Sequence, residues 1–565
     1  MTRVLVYHLA HSIHHKRRVP FMLSASKGRN RSTSRRGAEA ENSRESKSQQ
    51  SPGITHPHLL KVPGVFVLAL FLLSFTSRVQ GNPILLYSFW GACLFLAGWQ
   101  LLVLHKYSAQ PLSKSFVISL RPQHYIQTMV HLSVYFYWGM NWQPVQAHAI
   151  LLIAQVLFAY AFDIMLSWSR RDSYQFGFGP IPIIFSTNLF LWFHDDWFYL
   201  QFLMVGIGFL GKEFVRWNRD GRLVHIFNPS AFTLGLFSLV LIATNTTDLT
   251  WGPQIASTLS LAPGIYTYLF LGGLVVMYFF AITLVSASSA MVLFGLSALY
   301  FSITGVPYFL DSEIPTAVFL GLHLLVTDPS TSPRTPTGRL VFGILYGLGV
   351  FVLYTLLSMI GAPTFYDKLL CVPLLNLSVQ WIDRLVAPLR NHPLLERWGL
   401  GVTLNRKANL VHMGIWILFF AWMSALGKTD TRHLGDSLPF WEEACEQGKP
   451  NACNRLLLLE STYCNDNSGW ACNAIGAEYY FGEHTERDVD RALGFFARSC
   501  ELRFQAGCLN YLDSTGIRLA DPRPFDLRLL LREGGQNLLD MPEPELYQRA
   551  CEHGWAFACS DTGSR

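Results

Sequence analysis

Two short motifs break apolar runs where an unbroken helix would otherwise continue. Asn228-Pro229-Ser230 stands just before an apolar stretch, and Thr327-Asp328-Pro329 stands just after one. Asn at the N-cap with Pro at the first helical position starts a helix, and Pro329 cannot continue one. Helix ends inside apolar surroundings leave backbone N–H and C=O groups without partners. Such ends are tolerated where they line a cavity or a ligand site, and their dipoles can aim at a cofactor, a quinone or an ion. The Ser/Thr/Pro loop after Asp328 carries Arg334 and Arg339. A guanidinium suits phosphate geometry, but the same two charges would equally serve as the positive loop of a membrane protein. His131, His148, His225 and His323 lie in or beside apolar runs. Haem would need two of them to face each other across helices, and the reading preferred here is packing or interfacial polarity. The chain has no Cys-x-x-Cys-His motif and no Gly-x4-Gly-Lys-Ser/Thr loop, so neither c-type haem nor ATP is indicated. No catalytic residue is assigned.

The elements that must position these residues are apolar helices. Of 565 residues, 50% are hydrophobic and 15% charged, with a mean hydropathy of +0.25, a balance few soluble proteins show. The net charge of +6 comes largely from the first 60 residues, which hold 11 Lys/Arg against 3 Glu. A basic tail directly before an apolar segment reads as a topology determinant rather than a nucleic-acid arm. It lacks the apolar core of a cleavable signal peptide, and Met22 is an alternative start.

Apolar segments fall near 60–78, 83–105, 123–142, 146–168, 180–194, 197–213, 229–246, 263–285, 287–304, 314–327, 339–361, 367–386 and 408–427. A full crossing takes about 20 residues, so 180–194 and 314–327 read as broken helices, and 247–262 as a re-entrant candidate. With the N-terminus inside, alternate loops are basic: Lys106, Lys114 and Arg121; Arg170 and Arg171; Lys212, Arg216, Arg219 and Arg222; Arg334 and Arg339; and five Lys/Arg over 384–407. The opposite loops hold Asp195, Asp196, Asp248, Asp311 and Glu313. Segments three to seven and eight to twelve form two sets of five. An odd number of crossings makes the sets antiparallel, as in inverted-repeat transporters.

The Thr327-Asp328-Pro329 segment resembles the Thr-Asp-Pro signature of the RnfD/NqrB family, the membrane subunits of ion-translocating redox complexes. His225-Ile226-Phe227-Asn228-Pro229-Ser230 is similar to that family's Phe-Asn-Pro signature. The resemblance covers about 120–380 and includes related membrane proteins of enediyne clusters. It implies ten core helices, a cofactor or pore site at Asn228, Pro229, Ser230, Thr327 and Asp328, and a flavin phosphate at Arg334 and Arg339. Family members carry FMN on a threonine of a Ser-Gly-Ala-Thr-type motif. Between 232 and 326 this chain offers only Ala256-Ser257-Thr258 and Ser286-Ala287-Ser288-Ser289, without the glycine. Covalent FMN is therefore not expected, and non-covalent FMN is the form the resemblance then implies.

Cys93 and Cys371 lie in apolar segments and read as core residues. The other eight cysteines follow 440 as pairs eight positions apart, at 445/453, 464/472, 500/508 and 551/559. Gaps of seven are wrong for one tight zinc chelate, and disulfides need an oxidising compartment. The 36-residue period and the unit from Cys472 through Gly476, Tyr479 and Gly482 to Ala497 resemble cysteine-rich Sel1-like repeats. That resemblance implies the disulfides Cys445–Cys453, Cys464–Cys472, Cys500–Cys508 and Cys551–Cys559, no metal, and a protein-binding surface.

The expectation is an all-α protein: a polytopic membrane bundle of about 13 spans with a core of two inverted five-helix repeats, plus an extracytoplasmic α-solenoid of Sel1-like hairpins. Its parts would be a disordered cytoplasmic tail over 1–58, two extra helices over 59–120 and the RnfD/NqrB-like core over 121–388. A basic loop and last helix over 389–430 and the repeat domain over 435–565 would follow. The expected place is a bacterial inner membrane, with the N-terminus cytoplasmic and the C-terminal domain periplasmic. Expected partners are the bilayer, a periplasmic protein and redox-complex subunits, with no nucleic acid. Electron transport or redox-coupled ion translocation is the expected function. A flavin-independent transporter or channel, or a membrane-anchored scaffold, is the alternative.

Overall fold

Every one of the thirteen apolar segments carries a helix in the computed structural model. It describes residues 54–109, 114–219, 221–260, 262–310, 312–391, 400, 406–429, 433–531 and 538–561. The basic tail and most of the basic loop before residue 406 lie outside the described residues. In chain order the helices are α1 (Val62–Leu73), α2 (Ser77–Gln80), α3 (Pro83–Tyr107), α4 (Pro122–Asn141), α5 (Gln143–Arg170), α6 (Pro180–Asn188), α7 (Phe198–Phe214) and α8 (Pro229–Ala243). They continue as α9 (Gly252–Leu259), α10 (Ile265–Phe280), α11 (Thr283–Thr304), α12 (Thr316–Leu324), α13 (Pro336–Met359), α14 (Asp367–Leu385) and α15 (Arg406–Ala425). Proline opens α3, α4, α6, α8 and α13, where its missing N–H costs nothing. By length and composition five helices can cross a membrane: α3, α5, α11, α13 and α15. The segments expected to be broken hold α6 and α12, nine residues each.

Within the first set of five, α5 lies against α7 and α7 against α8; within the second, α11 lies against α13 and α13 against α14. Between the sets, α4 meets α10 and α8 meets α14. Close crossings are made by small residues. Gly343 and Gly347 of α13 face Ser288, Ser289 and Val292 of α11, and Ser289 Oγ donates to the Gly343 carbonyl at 3.0 Å. Gly-x3-Gly spacing lets two backbones approach in this way. Gly235 of α8 faces the ring of Pro373 inside α14.

The described residues are helical as expected, with five short strands among them. β1 (Ile54–Thr55), β2 (Ser115–Ile118) and β3 (Ser173–Phe176) form one sheet, with β2 antiparallel to β1 and parallel to β3. β4 (Arg216–Arg219) and β5 (Arg222–His225) form a hairpin between α7 and α8. Phe116 and Tyr174 of the small sheet bury against Trp168. The strands arise because inter-helix loops here pair with one another, which helix-scale hydrophobicity does not report.

The C-terminal helices are α16 (Leu438–Glu446), α17 (Ala452–Asn465), α18 (Gly469–Phe481), α19 (Val489–Glu501), α20 (Gln505–Leu512), α21 (Pro524–Leu530), α22 (Glu543–Glu552) and α23 (Ala556–Asp561). From α16 to α20 each packs on the next. The four cysteine pairs stand at bonding distance, each between consecutive helices, with Cα separations of 4.4–4.7 Å.

These helices are seated on the bundle. Buried Arg455 of α17 donates to Tyr354 Oη at 2.8 Å and to the Tyr308 carbonyl at 3.2 Å. Arg455→Ala removes both bonds, a loss of about 1–3 kcal/mol, and limited proteolysis of the intact protein should then release a C-terminal fragment faster than from wild type. A second clamp joins Glu313 to Lys428 at 2.7 Å and to His433 at 3.9 Å. Burial would raise the Glu313 carboxyl, but bonds from His433, Lys428 and Ser297 outweigh it and hold it near about 2. Burial lowers His433, but Glu313 and Asp436 outweigh that and raise it above its usual value. Glu313 therefore contributes fully above its ordinary pKa and loses that contribution as pH falls toward about 2. His433 contributes fully below its ordinary 6.5 and loses that as pH rises through its raised value. Proteolysis next to residue 433 should be several-fold faster at about pH 8.5 than at about pH 5.5, and His433→Gln should abolish that difference.

Candidate functional site

Asn228 of the first motif bonds the chain just before the second. Asn228 caps α8: its Oδ1 accepts from the Ser230 and Ala231 amides, at 3.0 and 3.5 Å. Its Nδ2 donates to the Leu325 carbonyl at 3.1 Å, just past the last residue of α12. Asn376 of α14 completes the junction. Its Oδ1 accepts from the Asn228 amide at 3.1 Å and its Nδ2 donates to the Thr331 carbonyl at 3.2 Å. Ser230 Oγ donates to the Ile183 carbonyl inside α6, so both nine-residue helices are tied to the start of α8.

Thr327 and Asp328 act locally. Thr327 Oγ1 donates to the His323 carbonyl at 2.6 Å, and Asp328 Oδ1 accepts from the Ser330 amide and hydroxyl at 2.9 and 2.7 Å. The β4–β5 hairpin presses on this turn. Arg219 donates to the Ser332 carbonyl at 3.1 Å and pairs with Asp383 at 2.7 Å, while His225 Nε2 lies 3.0 Å from Ser330 Oγ. Burial outweighs the nearby Asp328 charge and lowers the pKa of His225.

The arginines part company. Arg339 is buried, and its guanidinium donates to the carbonyls of Pro333, at 2.9 Å, and Ala281. Arg334 is exposed in the loop, with its amide bonded to Asp383. The hydroxyls nearest in sequence to the expected flavin position are also committed: Ser286 to the Leu322 carbonyl, Ser289 to those of Val285 and Gly343, and Thr258 to that of Gln254.

A second polar centre stands at the other end of α6. Asn188 Oδ1 meets His148 Nε2 at 2.9 Å and accepts from Gln155 at 3.0 Å and Gln201 at 3.3 Å. Gln201 also accepts from the Phe193 amide, which a helix running on from α6 would have used. His148 stacks on Trp192, centroids 4.2 Å apart, at the edge of a cavity of about 600 Å³. Arg78, Asn82, Asp195, Asp196 and Trp251 line its mouth, with Arg78 bound to both oxygens of Asp195.

Among the described residues, buried polar atoms without a hydrogen-bond partner include Ser186 Oγ of α6, His323 Nε2 of α12 and Tyr346 Oη of α13. Gly273 of α10 leaves room for the His323 ring, and Gly321 faces Tyr346 Oη and Phe190. Buried polar groups are normally paired. His131 and His323 were singled out from sequence; Gln155, Asn188, Gln201 and Asn376 were not. Their signal was present, because amide side chains are rare and costly in apolar helices.

Comparison with protein-family models, with curated proteins and with solved structures finds no match for this chain.

Proposed function

We propose that the chain is a multi-pass membrane protein similar in plan to the RnfD/NqrB subunits, in which α4–α8 and α10–α14 are inverted repeats. It acts in membrane electron transport or redox-coupled ion translocation. The observation that carries this reading is Asn228, which binds the start of α8 to the Leu325 carbonyl at the end of α12, two residues before Thr327. The inverted plan is supported by contacts between helices of equal rank, α4 with α10 and α8 with α14. Nine residues rise about 13–14 Å, less than half the hydrocarbon core. Helices α6 and α12 then end near the midplane. In this reading all thirteen segments cross or enter the membrane, the N-terminus is cytoplasmic, and a Sel1-like α-solenoid faces the periplasm of a bacterial cell to bind a protein partner.

A flavin-independent transporter or channel is the second reading. Arg339, turned onto backbone carbonyls, favours it. Purified protein decides between them through its visible spectrum and in-gel fluorescence after denaturation. Flavin released on denaturation sustains the redox reading with a non-covalent site, and fluorescence kept through denaturation sustains it with a covalent one. Colourless protein that moves ions in liposomes without an electron donor replaces it with the second.

A further inference from the structure

The C-terminal helices hold a cluster that neither reading uses. Glu478 lies on α18; Glu483 and His484 follow at once in the turn that leaves it. Gly482 opens that turn at φ +72°, a conformation side chains other than hydrogen rarely adopt. One donor atom from each of Glu478, Glu483 and His484 lies within 4.8 Å of the other two, and His484 Nδ1 stands 2.7 Å from Glu478 Oε2.

On α17, Glu460 is only 3% exposed, and its Oε2 has no hydrogen-bond partner. The charges that bear on it are those of Glu478 and of Glu442 on α16, both of the same sign as a carboxylate. Among the described residues no lysine or arginine forms an ion pair with Glu442, Glu460, Glu478 or Glu483, and His484 contacts Glu478. Carboxylates brought together repel each other, and a bound cation removes that cost.

We propose that Glu478, Glu483 and His484 bind one divalent cation of the zinc class, with Glu460 buried on the neighbouring helix α17. Imidazole nitrogen with two carboxylates suits zinc and its first-row neighbours, whereas calcium needs six to eight oxygens. Tetrahedral zinc at about 2.0–2.2 Å from each ligand sets the donors about 3.3–3.5 Å apart. Rotation of the exposed Glu483 side chain supplies the closure, and a fourth position stays open to water. The Cys445 and Cys453 sulfurs also lie within 4.8 Å of a His484 nitrogen. Joined in a disulfide they do not ligate; reduced, they would offer thiolates to the same imidazole.

The test uses the full chain in detergent, stripped with a chelator and with the disulfides intact, checked by thiol titration. Cobalt(II) is followed by its visible spectrum and zinc by calorimetry. One equivalent should bind, without the charge-transfer bands of thiolate ligands, and His484→Asn and Glu478→Gln should each weaken binding tenfold or more. Glu460→Gln, which leaves the three ligands in place, should weaken it less while raising the melting temperature of the metal-free protein. No stoichiometric binding to the wild type, binding unchanged in His484→Asn, or thiolate bands in the cobalt spectrum each overturns the site. The wild-type result stands whether or not a variant folds.

Discussion

Asn228→Ala should cost the protein about 2–4 kcal/mol. The figure combines loss of the α8 cap, about 0.5–2 kcal/mol, with a buried Leu325 carbonyl left unpaired, about 1–3 kcal/mol. Few polar-to-alanine changes remove two structural roles at once; Asn228 does because its two side-chain atoms serve different helices. Asn228→Asp separates them, since aspartate keeps the capping oxygen and loses the donor to Leu325. Thermal unfolding of the purified protein should rank wild type above Asn228→Asp and Asn228→Ala lowest. A melting temperature for Asn228→Ala equal to that of an ordinary surface variant would show that the junction holds nothing together.

Reduction of the four disulfides should unfold the C-terminal helices while the bundle stays folded. Each bridge closes a loop of eight residues. The chain-entropy relation gives about 2.5 kcal/mol for such a loop, and about 10 kcal/mol for four. That equals the whole stability of a typical domain, about 5–15 kcal/mol. The helices they join are short: α20 has eight residues, and α23 six. Hydrogen exchange followed residue by residue, with and without reductant, should show protection collapsing in α16–α23 and persisting in α5, α11 and α13. Equal protection in both conditions would mean that these helices stand on their own apolar contacts.

Much of this was legible in the sequence, because apolar length is a local property. The thirteen segments each returned a helix, and the two short ones announced themselves as too short for a full crossing, although the helices in them are shorter still, nine residues each. Cysteine spacing was equally local, since eight positions bring a residue near one helix end to the start of the next. What could not be read were pairings set by the tertiary fold. β2 and β3 lie 55 residues apart and pair only because α4 and α5 return the chain to one place. The charge of Arg339 is visible in the sequence, while its bonds to the carbonyls of Pro333 and Ala281 are not. Asn188, Gln155 and Gln201 come from three helices, and only their polarity hinted that they would find one another.

The crossing of α11 and α13 carries a mechanical consequence. Gly343 and Gly347 bring the two backbones together, and serine hydroxyls cross-link them to each other's carbonyls, Ser288 to Leu340 and Ser289 to Gly343. Sliding by one residue would drive side chains into that gap and break both bonds, so this pair behaves as a rigid strut.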